Sequence, residues 1–351
     1  MLTGVHEIVC FTGFLVFIIL MLSLDLGLIN RNSHALSFKE ALLWTIFWVG
    51  LAFMFYVLLR FFGYQLHGIQ TKADIQALVT HYHHPINIVN ASLPQAIADY
   101  NHNLSLEYIT GYLIEYSLSV DNIFVIIMIF LSFNIERRYY HRVLFWGILG
   151  AIIMRFLFIF VASALIERFE WILMIFGLIL VYLGGKLGWE FFSGNIAEKI
   201  DTHNHPIVRF ISKYFRVTKE KTGQRFWLRD NGKFFITPLL IVLVIIEFSD
   251  VLFAVDSVPA VFSVTRDPLI VFFSNITAIL GLRALFFLVM NVMNKFRFLK
   301  LGLACLLSFI GVKMIFQLNI STNHSLAIII GILSVFVILS MMFPEKEGAS
   351  R

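Results

Sequence analysis

The stretch EFSDVLFAVDSVPAVF, from Glu247 to Phe262, decides the fold because it places charge inside an apolar run. Three acidic residues, Glu247, Asp250 and Asp256, lie in a hydrophobic segment that begins near Ile236. A carboxylate at the centre of a membrane helix costs about 3 kcal/mol or more, so acidic residues there are rare and mark functional positions. The stretch therefore predicts a membrane helix that carries a polar site.

A second stretch, EYSLSVDNIFVI from Glu115 to Ile126, repeats this pattern. At one constant offset three pairs of residues align, namely Glu115 with Asp250, Asp121 with Asp256 and Asn122 with Ser257. On an ideal helix residues seven positions apart lie within about 20° of each other, so the polar side chains flank adjacent helix faces. Two acidic helices in one chain predict a shared ion site.

The composition is typical of a helical membrane protein. Of 351 residues, 59% are hydrophobic and only 14% are charged, whereas a soluble domain carries about 25% charged residues. Continuous apolar runs of about 20 residues, the length that crosses a bilayer, recur along the chain. We predict an all-α, polytopic membrane protein with nine transmembrane helices, at residues 7–29, 38–61, 105–132, 143–165, 170–189, 235–262, 268–291, 299–319 and 324–343.

The distribution of basic residues predicts the orientation. The connections after the first, third, fifth and seventh spans, together with the C-terminal tail, hold 20 of the 27 Lys and Arg residues. By the positive-inside rule the N-terminus lies outside and the C-terminus lies in the cytoplasm. The net charge of +5 therefore reflects topology rather than a nucleic-acid-binding surface. Cys10 and Cys305 both lie in apolar segments and predict neither a disulfide framework nor a metal site.

Three markers recur in the same order in the two halves. Each acidic helix is followed by a helix with a buried Arg (Arg155 and Arg283) and then by a Gly-x-Lys helix, with Lys186 and Lys313. The predicted topology orients the two acidic helices in opposite directions, which makes the halves inverted repeats, the usual plan of secondary transporters. The alternative is chance similarity between Phe- and Leu-rich helices.

These features divide the chain into six parts. They are helices 1–2 (1–65), an extracytoplasmic His-containing loop (66–104), repeat 1 (105–190), a basic cytoplasmic loop (191–234), repeat 2 (235–320), and the last helix with the tail (321–351).

The candidate metal ligands all present oxygen. They are Glu115, Asp121, Asn122, Glu247, Asp250 and Asp256. Such donors, without thiolates or histidines at this depth, suit manganese, magnesium or calcium. The structural alternative is that these acids only pair with Arg155 and Arg283. Two Arg cannot neutralise five acids, and Lys313 compensates at most one more, so the surplus charge demands a cation or protons. Asp25 is either an entrance ligand or a solvated carboxylate.

The two long loops give weaker signals. The outer loop contains His67, His81, His83, His84 and His102, which suggests either a metal-collecting site or a solvated or membrane-surface loop, and we favour the second. In the cytoplasmic loop, Asn231-Gly232 between two β-rich segments predicts a tight hairpin. Its basic surplus is expected to contact anionic lipid head groups.

At its acidic motifs the sequence resembles the TerC family of integral membrane proteins, most of all the Alx-type members. The matching text is GYLIEYSLSVDNIFV at Gly111–Val125 and the long segment from Thr237 to Leu288, which contains FAVDS. The resemblance implies a bacterial inner-membrane protein of the lysine-exporter-like superfamily, whose members are linked to tellurium resistance and manganese export. It carries the family's acidic-motif residues over to Glu115, Asp121, Asn122, Asp250 and Asp256. The His-rich loop departs from the family pattern.

Together these observations predict a manganese(II) exporter with a midplane acidic site between inverted repeats. Export rather than import rests on the resemblance alone, and ion selectivity and the coupling ion stay open. The alternative is a membrane scaffold or insertion factor that affects metal or tellurium resistance indirectly. The chain shows no nucleophile–base pairing, phosphate loop or HExxH motif, so we do not expect an enzyme. The expected partners are the transported ion and the bilayer, with no permanent cofactor and with homo-oligomers or membrane-protein partners left open.

Overall fold

The described part of the chain is built almost entirely from helices. The structure is a computed structural model, and it describes residues 4–29, 37–133, 135–169, 171–193, 216–217, 225–230, 233–292, 298–316, 318 and 320–343. The helices are α1 Val5–Ile29, α2 Phe38–Phe62, α3 Lys72–Tyr82, α4 Leu93–Ser132, α5 Arg137–Arg168, α6 Ile172–Ser193, α7 Pro238–Phe262, α8 Pro268–Leu280, α9 Leu282–Val292, α10 Leu299–Ile315 and α11 Thr322–Met342. A 3₁₀ turn at Gly63–Gln65 follows α2.

Several of these helices have the apolar length of a membrane span. Among the described residues, seven helices pass this test, and α8 with α9, bent by 47°, makes an eighth. The bend falls at Gly281, where an added Cβ would lie 3.2 Å from the Cβ of Trp48 on α2. Helix α10 has 17 residues, so it spans only about 25 Å. The all-α polytopic class is confirmed, while the count of nine spans and the inverted repeats stay predictions.

Helix α4 is the core of the bundle. Within its apolar window 69% of the residues are buried in protein, against 17–33% for the other six single spans. It packs against α2, α7 and α8, and all 13 residues of α8 are buried. Polar groups of α4 are therefore enclosed by protein rather than lipid, where neighbouring side chains can satisfy them.

Helix α4 also begins earlier than predicted, at Leu93 instead of residue 105. The segment 93–104 is polar, which led the sequence interpretation to place it in a loop. Pro94 near the helix start supplies a favourable N-terminus. Asn101 and Asn103 are buried at 3% and 5% exposure, so tertiary contacts, not hydrophobicity, hold this part helical.

Glycines bring α6 and α10 into backbone contact. An added Cβ at Gly311 would lie 2.7 Å from the carbonyl oxygen of Gly177, and one at Gly177 would lie 2.9 Å from that of Gly311. An added Cβ at Gly184 would likewise lie too close to Ala304 and Ser308 of α10. Small residues allow this approach because membrane helices associate mainly through close packing.

A small sheet adds to the predicted all-α fold. Strands β2 (Trp227–Asp230) and β3 (Lys233–Ile236) pair antiparallel, with Asp230 opposite Lys233. This pairing confirms the predicted hairpin, whose turn residues 231–232 lie outside the described part. Strand β1 (Arg216–Val217) pairs parallel to β3.

The sheet docks on one end of the bundle. The Arg142 guanidinium of α5 lies 4.9 Å from the centre of the Phe226 ring, and Thr237, just before α7, donates its backbone N–H to Phe226 at 3.1 Å. We call this the sheet end. The opposite end, formed by residues 63–92 and the α7–α8 connection 263–267, is the histidine end.

The glycine contact between α6 and α10 gives a first prediction. In the Gly311→Leu variant the side chain collides with the α6 backbone, and overpacking of this kind costs about 1–3 kcal/mol or more. We expect the detergent-solubilised variant to unfold at a lower temperature than the parent, measured by size-exclusion monitoring after heating. The matched control is Gly331→Leu on α11, where an added Cβ meets nothing within 4 Å. If both variants lose the same amount of thermal stability, the close contact between α6 and α10 does not restrict residue 311.

Candidate ion-binding site

Several of the predicted site residues meet around the guanidinium of Arg155, which is 1% exposed in the middle of α5. Its Nη1 donates to Glu115 of α4 in a close ion pair. The same nitrogen donates to Asn275 Oδ1 at 2.7 Å and to Ser257 Oγ at 3.5 Å. Its Nη2 lies 3.5 Å from Asp250 Oδ1 of α7. One cation thus links four helices, and it joins the two acids that the sequence alignment paired.

Asn275 completes this arrangement from α8. Its amide Nδ2 donates to Glu115 Oε2 at 2.8 Å while its Oδ1 accepts from Arg155. Glu115, Ser257 and Asn275 are each 0% exposed. The sequence analysis missed Asn275, although the polar pair Ser274-Asn275 inside an apolar helix is a signal that could have found it.

The site is electrostatically incomplete. Glu115 and Asp250 carry two negative charges against the single positive charge of Arg155. Among the described residues, two buried oxygens at the site, Asp250 Oδ2 and Ser119 Oγ, have no hydrogen-bond partner. Buried polar atoms in proteins are almost always paired, so these oxygens offer acceptor positions to a ligand or to water.

Glu247 lies one turn before Asp250 and faces α5. Its carboxylate fills the space beside Gly150, where any Cβ would collide with both oxygens. Glu247 is half-buried and forms no ion pair with a described residue. Glu247 therefore places a third carboxyl group beside the site.

Asn122 lies apart from the Arg155 cluster, on the wall of a cavity toward the sheet end. The cavity has a volume of about 270 Å³ and lies between α4, α6, α7 and α10. Its lining includes Leu118, Asn122 and Phe253, and Lys186 and Glu190 form a charged rim, with Nζ and Oε1 3.8 Å apart. The cavity therefore reaches Asn122 on α4, with a charged rim and a mostly apolar wall.

The remaining predicted residues are placed differently. The side chains of Asp25, Asp121 and Asp256 lie outside the described part of the structure. Arg283 donates to His141 Nε2 of α5 at 2.6 Å. Lys313 donates to the Ser263 carbonyl and to Ser325 Oγ, both at 3.1 Å, at the histidine end. Lys313 is therefore not a partner of Glu115 or Asp250.

The histidine end contains a second polar cluster. The ring of His67 donates from Nδ1 to Glu7 Oε1 at 2.9 Å and from Nε2 to Asp267 Oδ2 at 3.0 Å. Its side chain is 1% exposed. Burial by itself lowers the pKa of His67, but the carboxylates of Asp267 and Glu7 outweigh it and raise the pKa to about 9.

His84 is held in a similar way. Its Nδ1 lies 2.8 Å from Glu107 Oε1, which also accepts from Asn103 at 2.7 Å, and Thr265 donates to Glu107 Oε2 at 2.6 Å. Burial opposes the charged imidazole, yet the Glu107 carboxylate raises the pKa of His84. The favoured interpretation of residues 66–104 as a solvated or membrane-surface loop is thus wrong for His67 and His84, because carboxylates from α1, α4 and the 263–267 connection enclose them.

The donor set of the Arg155 cluster fits a hard cation in type. Its described ligand atoms are carboxylate, amide and hydroxyl oxygens. Within the described residues, no group of three or more His, Cys, Asp and Glu side chains is positioned to hold one metal ion. In this state the guanidinium of Arg155 stands between Glu115 and Asp250, where it supplies the positive charge that a bound cation would supply.

Comparisons with known proteins bear on the same helices. The family model for the integral membrane protein TerC family matches residues 100–348. A protein of Salmonella typhi named "Putative membrane-bound redox modulator Alx" is 41% identical over 333 residues, which cover 93% of this chain and 92% of that one. The protein of that name from Escherichia coli K12 is 40% identical over 344 residues, 97% of this chain and 96% of that one. No solved structure matches.

The Arg155 cluster gives a second prediction. In Arg155→Met the carboxylate of Glu115 is left buried without a counter-charge, which costs about 3–5 kcal/mol. We expect a lower unfolding temperature in detergent, and we expect the double variant Arg155→Met/Glu115→Gln to recover part of the loss because the orphaned charge is gone. If the stability lost in the double variant equals the sum of the losses in Arg155→Met and in Glu115→Gln, the two side chains are not coupled.

Proposed function

The chain belongs to the integral membrane protein TerC family, and we propose that its buried acidic site carries a divalent metal ion across the bacterial inner membrane. The specific activity we propose is manganese(II) export from the cytoplasm. The observation that carries the proposal is the meeting of Glu115 from α4 with Asp250 from α7 on one buried Arg155. Two acids on separate helices, held by a single tethered cation, form a site whose negative charge is not satisfied.

The charge balance supports a divalent guest. With Arg155 in place, Glu115 and Asp250 keep one net negative charge, and the half-buried Glu247 adds a further carboxyl oxygen donor group. A divalent ion that displaces the guanidinium neutralises both carboxylates at once. We propose Asp121 and Asp256 as further ligands, since each lies six residues beyond Glu115 or Asp250 on the same helix. Asn122 lies on the entry side. The oxygen donors favour manganese, magnesium or calcium over zinc or copper.

The access route follows from the cavity beside Asn122. By sequence, 20 of the 27 Lys and Arg residues belong to the connections and tail predicted to be cytoplasmic, and the small sheet lies in one of these connections. The positive-inside rule therefore supports a cytoplasmic sheet end and C-terminus and an outward N-terminus. Ions then enter the cavity from the cytoplasm and reach α4 past the rim formed by Lys186 and Glu190. In this proposal the halves containing α4–α6 and α7–α10 rock against each other as inverted repeats. The mutual backbone contact of Gly177 and Gly311, on the third helix of each half, supports that arrangement.

The test is metal flux in proteoliposomes that contain the purified protein, with manganese, magnesium, calcium and zinc offered separately. We expect saturable manganese flux that falls at least tenfold in Asp250→Asn and in Asp256→Asn, because each removes a ligand charge without a change in size. The matched control is Glu136→Gln, an acid-to-amide change at a side chain that is 37% exposed, which should transport like the parent.

Absence of flux for every ion in folded parent protein would contradict the proposal. That result would favour the scaffold alternative, in which effects on metal or tellurium resistance are indirect.

A further inference from the structure

The histidine end holds a buried imidazole with a carboxylate at each of its two ring nitrogens. Both ring nitrogens of His67 lie within 3.0 Å of carboxylate oxygens, Nδ1 at Glu7 and Nε2 at Asp267. An ionised carboxylate only accepts hydrogen bonds, so both contacts are satisfied when both nitrogens donate. With both carboxylates ionised, the geometry therefore fits an imidazolium, and loss of either ring proton breaks one of the two contacts.

These two contacts join three parts of the chain that are distant in sequence. Glu7 lies in the first turns of α1, His67 follows the 3₁₀ turn after α2, and Asp267 caps α8 by accepting from Leu269 N–H at 2.9 Å. Helix α1 packs through apolar side chains such as Phe11 and Phe14, and its span is only 28% buried in protein. His67 thus ties the outer part of α1 to the α7–α8 connection.

The neighbouring groups make the cluster sensitive to protons. Three buried carboxylates, Glu7, Glu107 and Asp267, face three cationic groups, which are the imidazoles of His67 and His84 and the ammonium of Lys313. Among these six groups, the positive and negative charges are equal only when both imidazoles are protonated. The other titratable groups around His67 are the neutral rings of Tyr82 on α3 and Tyr100 on α4, with ring centres 5.8 and 6.4 Å away. His6 of α1 packs against Gly68, and Glu167 of α5 lies further out beside Tyr82.

A second cavity leads to this cluster from the histidine end. Its volume is about 290 Å³, and its lining includes Tyr82, His83, Glu167, Arg266 and Pro268, the last two on either side of Asp267. Inside the cluster, His84 Nε2 and the Tyr100 hydroxyl are buried without a partner among the described residues. The cavity reaches the network through Tyr82, whose ring centre lies 5.8 Å from that of His67. On α4, Glu115 of the Arg155 site lies eight residues, about 12 Å, beyond Glu107 of this cluster.

We propose that the His67–Glu7–Asp267 network is the proton-operated closure of the outer end of the pathway. With a proton on each nitrogen of His67 the end is shut, and loss of one proton releases α1 from the α7–α8 connection and opens it. The role of this closure in the transport cycle depends on the proposed transport function. In that cycle, protons are taken up from outside in exchange for the metal ion. Release of metal outward is then followed by proton uptake, which closes the end again.

The direction of the pH effect follows from the raised pKa. An imidazole that is solvated after opening titrates near 6.5, whereas in the closed network its pKa is about 9. The closed state therefore binds more protons between these values, so its stabilisation is complete below about pH 6.5 and is lost as pH rises to about 9. Within that window the open fraction rises up to tenfold for each pH unit.

A native thiol reports this opening without any metal. Cys10 lies three residues, about one turn, after Glu7 on α1 and is partly buried, and both cysteines of the chain are free. In a Cys305→Ser background, Cys10 is the sole thiol. Its labelling by a membrane-impermeant maleimide is measured from pH 6 to 10 and divided by the rate for the same thiol in unfolded protein, which removes the pH dependence of thiol chemistry.

We expect the corrected labelling rate to rise at least tenfold between pH 7 and pH 9. In His67→Gln, which cannot hold the charge, it should be high and independent of pH. The control His81→Gln, at an exposed ring on α3, should follow the parent. Should His67→Gln not fold, Glu7→Gln serves instead, and its transition should move to lower pH because one supporting carboxylate is neutral.

A parent rate that stays flat with pH, or a transition unchanged in both His67→Gln and Glu7→Gln, would overturn the closure. The labelling needs no transported ion, so its outcome is separate from that of metal flux. If metal flux is seen but the labelling rate does not change with pH, the protein transports metal without this closure. If the labelling rate changes with pH but no flux is seen, the closure exists and only its role in transport is wrong.

Discussion

The ion pair between Arg155 and Glu115, extended to Asp250, is the interaction on which the membrane core depends. A buried carboxylate without a counter-charge would destabilise α4, and a buried guanidinium without acids would destabilise α5. The pair therefore fixes α4, α5 and α7 relative to one another, and Asn275 adds α8 through two further hydrogen bonds. The same pair leaves one negative charge uncompensated. The same three side chains thus stabilise the core and, under the proposed function, supply the charge that attracts a cation.

The rest of the architecture protects this arrangement from lipid. Helix α4 is enclosed over most of its length, α8 is buried along all 13 residues, and the glycine contact of α6 with α10 closes one side. A cavity reaches toward the acidic segment from the sheet end, whereas the His67 and His84 networks fill the opposite end. Under the proposed function, this difference between the two ends is the asymmetry that a transporter needs in each of its states.

Much of this could be predicted from the residues. Continuous apolar runs indicated the helical membrane class, Asn231-Gly232 indicated the hairpin, and the matched motifs around Glu115 and Asp250 indicated two acids that the structure brings to one guanidinium. Asn275 was missed because a single amide in an apolar helix carries no charge to compensate. The early start of α4 was missed because its first turns are polar and are buried by protein, not lipid. His67 and His84 were placed in a solvated loop because their partners lie as far away in sequence as Glu7 and Asp267.

The proposed transport depends on carboxylates from two different helices binding one metal ion. Equilibrium binding of manganese(II) to the purified protein measures this step without a membrane. Electron paramagnetic resonance distinguishes free from bound manganese, so a titration gives the affinity without a transport assay. The account predicts saturable binding that weakens at least tenfold in Glu115→Gln and in Asp250→Asn. Binding that is absent in the folded parent, or that neither substitution changes, would contradict it.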